Sequence, residues 1–128
     1  MENIIQNSNI YVILICGLPG VGKSYFANLF NDYIKSYSLF KCDVIYLNFD
    51  DLFYEKAKIY DTNIDKYKID LTKFKQIRND YYKLFEEKTK SIINNKGNYI
   101  IILDDNFYFK SMRKPFYKFC FVGRNNAN

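Results

Sequence analysis

The chain has 128 residues, 48% hydrophobic and 26% charged, enough for one modest core and one domain. Nineteen bases against fourteen acids give +5 at pH 7, a mild excess that admits a polyanionic partner without requiring one. There is no histidine, so every mechanism that needs imidazole as base or metal ligand is excluded, and carboxylates, lysine or a bound cation must carry any chemistry.

Residues 1–9 have no basic start and no long apolar stretch, so they do not read as a signal peptide. The first apolar run, residues 10–16 (IYVILIC), falls far short of the roughly 20 residues a membrane helix needs. It shows no alternation and is β-branched and aliphatic, as expected of a parallel strand covered on both faces. Cys16 closes it; with Cys42 and Cys120 it makes an odd, widely spaced set without a CxxC pair, which reads as reduced thiols in a cytoplasmic protein.

Over residues 24–37, Phe26, Leu29, Phe30, Tyr33, Ile34 and Tyr37 recur at spacings of three and four, which predicts a helix with that stripe against a sheet. Residues 43–49 (DVIYLNF) predict a second strand, ending in Asp50 and Asp51, with Asp51 capping a short helix. Residues 61–69 show no period and read as a loop. A long helix is expected over 71–95, capped by Asp70 and leaving through Asn95, Lys96 and Gly97. Residues 66–96 carry nine bases, which suit nucleic-acid phosphates but fit a solvated helix face better.

Residues 99–103 (YIIIL) predict a third buried strand, followed by Asp104 and Asp105. Three buried strands alternating with helices give an α/β fold, a mostly parallel sheet with its site at the carboxyl ends of the strands. Beyond them, DDNFYFKSMR leads into an aromatic helix, and residues 119–122 (FCFV) read as the stub of a fourth strand before a polar tail. A hydrophobic sheet edge left unpaired would lower solubility.

Gly17, Leu18, Pro19, Gly20, Val21, Gly22, Lys23 and Ser24 form GLPGVGKS, a full match to GxxxxGK[ST] between a predicted strand and a predicted helix. At this chain's residue frequencies the four fixed positions coincide by chance roughly twice in a thousand sequences, so the match is specific. Glycines let the backbone turn tightly and aim successive N–H groups at an anion, at a helix end whose dipole is positive. Lys23 is expected at the β and γ phosphates of ATP, and Ser24 at a bridging Mg²⁺. Asp104 follows the third strand where a carboxylate holds that magnesium, with Asp105 sharing the work and Asp50 a further metal candidate. Asp51 is the preferred base for an acceptor hydroxyl.

The phosphate loop, the acidic pair after the second strand and DDNFYFKSMR together resemble the L-seryl-tRNA(Sec) kinase (O-phosphoseryl-tRNA(Sec) kinase) family over residues 10–117. The resemblance implies a P-loop kinase fold and ATP- and Mg²⁺-dependent phosphorylation of the serine hydroxyl of seryl-tRNA(Sec). Lys23 and Ser24 would bind ATP and magnesium, and Asp51 would activate the serine. It also implies a fourth strand, an RxxxR lid and a carboxyl-terminal tRNA-binding region that do not fit after Tyr117, so the expectation is a single partial domain with about three core strands, its 119–128 end frayed. Arg113 is the candidate substitute for the lid arginines in steadying transition-state charge. The loop and the post-strand acids also look similar to Kti12, a nucleotide-binding accessory protein of tRNA modification, and to small-molecule P-loop kinases.

Overall fold

Three strands were expected, and three form among the described residues. β1 (Asn9–Ile15), β2 (Cys42–Asn48) and β3 (Asn98–Asp104) make an all-parallel sheet in the order β1-β3-β2, so the last of these three strands lies at the centre. The computed structural model describes residues 9–18, 20–36, 41–60 and 71–126. The expected loop over 61–69, the cap Asp70, and residues Pro19 and Tyr37 lie outside them.

Registration follows directly from β3. Val12 and Ile45 flank Ile101, Leu14 and Leu47 flank Leu103, and Ile15 and Asn48 flank Asp104. Ile101, Ile102 and Leu103 are fully buried, each contributing about 1.5–3 kcal/mol by removing an aliphatic side chain from water. Burial on both faces explains why YIIIL shows no alternation.

Four helices flank the sheet: α1 (Lys23–Ser36), α2 (Phe49–Tyr60), α3 (Leu71–Ile92) and α4 (Lys110–Asn126). α3 and α4 cover the face bearing Leu47, Ile101 and Leu103, through Ile77, Tyr81, Phe85 and Phe116. The Phe116 ring packs edge-on against Tyr81, Phe85 and Phe107, with centroids 5.2–5.9 Å apart. Burial of Tyr81 pushes its hydroxyl far above the usual phenol range, and that hydroxyl donates to the Leu47 carbonyl at 2.8 Å, fastening α3 to β2.

α1 touches β2 and β3 through only part of the stripe its periodicity predicts: Ile34 is buried and Phe30 half-buried, as expected. Ala27 and Ile34 are its buried residues, whereas Phe26, Leu29 and Tyr33 are about half exposed. A helix this rich in aromatics carries two apolar stripes, and the one containing small Ala27 lets the backbone approach the sheet. The second correction concerns residues 119–122, which are helical and not a strand stub: Met112, Phe116 and Phe119, spaced four and three apart, face the core as one stripe of α4. The helix runs on through Asn126. Among the described residues, no helix is long and apolar enough to cross a membrane.

Candidate functional site

All three strands deliver their carboxyl ends to one edge of the sheet, as parallel pairing requires. Beyond Ile15 the chain turns into α1 through the glycine loop. Gly20 and Gly22 hold φ of 80° and 93°, left-handed values that strain any side chain, and a Cβ at either position would meet nothing within 4 Å. The loop backbone therefore borders open space. α1 takes its first bond from Phe26 N–H to the Gly22 carbonyl, 2.9 Å, and the amides ahead of it lack intrahelical acceptors. Lys23 curls back over the loop, its Nζ donating to the Leu18 carbonyl at 2.8 Å.

Asp104 closes β3 and is 4% exposed. Its Oδ2 accepts three bonds: from the Ser24 hydroxyl at 2.8 Å, from the Asn48 amide at 3.3 Å, and from the Tyr46 hydroxyl. Asn48 also donates to the Tyr46 oxygen at 3.1 Å, and its own Oδ1 accepts the Asp51 N–H at 3.2 Å. Burial first, then the bond to Asp104, pushes the Tyr46 phenol up from its ordinary value, so it stays a donor at neutral pH.

Asp105 has a different partner. Arg78 from α3 grips it with Nη2 on Oδ1 at 3.1 Å and Nη1 on Oδ2, and Oδ1 also accepts the Asn106 N–H at 2.7 Å. The Asn106 carbonyl in turn accepts the Gly17 N–H at 3.3 Å, so the turn after β3 buttresses the start of the glycine loop. Phe107, fully buried, takes a φ of 47° to complete that turn.

A cavity of about 310 Å³ opens between these parts, lined by Gly20, Gly22, Lys23, Ser24, Tyr25, Asp50, Asp104, Asp105 and Asn106. Of the residues expected from sequence, it gathers Gly20, Gly22, Lys23, Ser24, Asp50, Asp104 and Asp105. Partial burial, then the charges of Asp105 and Asp104, raise the Asp50 carboxyl, and Lys23 pulls the other way. Gly17 packs behind the loop, where a Cβ would come within 3.1 Å of Val21 Cγ2, and Leu18 and Val21 expose their side chains.

Other residues stand elsewhere. Asp51 is exposed in the first turn of α2 and does not line the cavity; the cap expected of it belongs to Asn48. Arg113 lies on α4, its Nη1 3.5 Å from the Phe107 carbonyl, also outside the lining. Asp105, expected to share the work of Asp104, lines the cavity with both its oxygens paired to Arg78.

Four site residues escaped sequence reasoning: Tyr46, Asn48, Arg78 and Tyr25, which lines the cavity. The first two alternate on the strand that leads into Asp50 and so share a face, a pattern visible in DVIYLNF. Arg78 is one of three arginines beside sixteen lysines, and an arginine kept in such a lysine-rich chain signals a fork-shaped contact.

The oxygen set suits Mg²⁺, which is commonly held by one or two carboxylates with phosphates and water completing its shell. Among the described residues no group of three or more Cys, Asp and Glu side chains forms an all-protein cage. A family model described as chromatin associated protein KTI12 matches residues 11–125. That match supports a P-loop family and does not support the L-seryl-tRNA(Sec) kinase assignment. No curated protein matches the chain.

Proposed function

The chain belongs to the KTI12 family, and from that premise we propose that it binds ATP with Mg²⁺ in the glycine loop and serves as a nucleotide-dependent accessory protein of tRNA modification in the cytoplasm. The observation that carries this reading is the bond from Ser24 to Asp104, 2.8 Å across 80 residues of sequence. It joins a hydroxyl and a carboxylate beside Lys23, the pair that would hold a divalent cation and let it neutralise phosphate charge.

Loop amides and Lys23 would hold the phosphate oxygens, and Ser24 and Asp104 the metal. Bound Mg²⁺ would neutralise charge on the terminal phosphates. Asp50 lines the same cavity and is the carboxylate placed to orient a water or an acceptor hydroxyl; Asp51, the base expected from sequence, would have to act from outside it. That placement of Asp50 favours one second reading, transfer of the γ-phosphoryl group to a hydroxyl, with seryl-tRNA(Sec) or a small molecule as acceptor. The free thiols of Cys16, Cys42 and Cys120 accord with a reducing compartment.

Calorimetry with MgATP tests the binding. The parent should bind, and Lys23→Ala should lose at least ten-fold in affinity; equal binding by the two would overturn the assignment. Release of labelled phosphate to water, to seryl-tRNA(Sec) and to small hydroxyl compounds separates the readings. Binding without an acceptor supports the accessory role, and labelled seryl-tRNA(Sec) supports the kinase.

A further inference from the structure

β2 sends two side chains from one face into the phosphate site, and neither belongs to the loop motif. Tyr46 and Asn48 stand opposite Ile102 and Asp104 in the parallel register, two residues apart and so on the same side of the sheet as Ser24. Both donate to Asp104 Oδ2, the oxygen that also receives the Ser24 hydroxyl. They are also joined to each other, Asn48 Nδ2 donating to the Tyr46 oxygen at 3.1 Å. The other end of the Asn48 amide caps α2, which begins the turn carrying Asp50.

We infer that Tyr46 and Asn48 are positioning residues for the divalent cation, a rigid frame that fixes the rotation of the Asp104 carboxylate and thereby sets how much Mg²⁺ the site needs. This rests on the reading of the cavity as a magnesium–nucleotide site. Carboxylates that hold metals are themselves oriented by hydrogen bonds, and losing such a partner commonly lowers metal affinity about 10- to 100-fold. An aspartate at the end of a strand has free rotation about its last bond unless something stops it. Here a phenol and an amide stop it from the β2 side while Ser24 stops it from the α1 side. Because Asn48 also accepts the Asp51 N–H in the first turn of α2, one amide group links Asp104 to the turn that carries Asp50.

The frame makes no contact with the loop glycines or Lys23 in the bonds described above, so its loss should spare nucleotide binding that does not depend on metal. ATP affinity is measured for the parent, Tyr46→Phe and Asn48→Ser, first in EDTA and then across a Mg²⁺ titration, with thermal midpoints recorded alongside. Phenylalanine keeps the ring and removes only the donor, and serine keeps a side chain able to cap α2. The expected result is a Mg²⁺ midpoint about ten-fold higher in either variant, with ATP affinity in EDTA within two-fold of the parent. A midpoint equal to the parent's in both variants, or an equal loss in EDTA and in Mg²⁺, overturns the inference while leaving nucleotide binding intact. A parent that binds no ATP overturns the proposed function itself and this inference with it.

Discussion

Arg78 presses the flat face of its guanidinium 4.2 Å from the centre of the Phe49 ring while both arms of the fork hold Asp105. The pair sits deep, with 16% and 2% of its two side chains exposed, and Phe74 lies 5.3 Å away on the same cation. One arginine therefore joins the aromatic core to the turn that supports the glycine loop.

Replacing Arg78 with methionine leaves a buried carboxylate uncompensated and is expected to cost about 3–5 kcal/mol. The double variant Arg78→Met with Asp105→Asn removes the orphaned charge but keeps an oxygen for the Asn106 N–H, so it should recover most of that loss. Urea unfolding of the two single variants and the pair measures both the loss and the recovery.

Acid dependence should appear at Asp50. Its raised carboxyl means the folded protein holds that proton more tightly than the unfolded chain does, so stability falls as pH rises from the ordinary value of 3.8 through the raised one. Asp50→Asn removes this loss. In the absence of nucleotide the variant should melt slightly higher than the parent at neutral pH, by under about 1 kcal/mol because the side chain stays largely open to screening solvent. The difference should shrink as the pH drops below the raised value, which thermal melts across the acid range would record.

Gly20 and Gly22 occupy left-handed backbone with free space around them. Gly20→Ala should thus cost about 1–2 kcal/mol from backbone strain alone, with no clash. The strain is relieved by relaxing the loop, so MgATP affinity should fall with stability. A Gly20→Ala variant that matches the parent in both calorimetry and melting would contradict the loop geometry.

Phe26, Leu29 and Tyr33 point their α1 stripe largely to solvent. Leu29→Lys should change stability by no more than about 0.5 kcal/mol, in contrast to the large loss expected had that stripe packed on the sheet. It should also raise solubility, measured as the concentration reached before light scattering increases.

The strands, the glycine loop and Asp104 were legible because each rests on local signals: an unbroken apolar run, a fixed glycine spacing, an acid at the strand's end. The face of α1 was legible only in part: Ile34 is buried as expected, but periodicity weighs Phe26 and Leu29 above the buried Ala27. FCFV read as a strand because four apolar residues fit either period, and only Phe116 and Phe119 together in the core decide for a helix. Tyr46 with Asp104, and Arg78 with Asp105, are meetings of residues 58 and 27 positions apart, which no local pattern announces.

The central place of β3 governs when the site comes into being. Neither outer strand touches the other, and Asn9 finds its neighbour Asn98 only 89 residues later in the chain. During synthesis the nucleotide cradle has no wall to lean on until β3, whose Asp104 lies 80 residues beyond Ser24, has emerged. Closing so wide a loop carries an entropic cost that slows assembly, so refolding should be a late, concerted event in which hydrophobic collapse and competence to take up ATP arrive together.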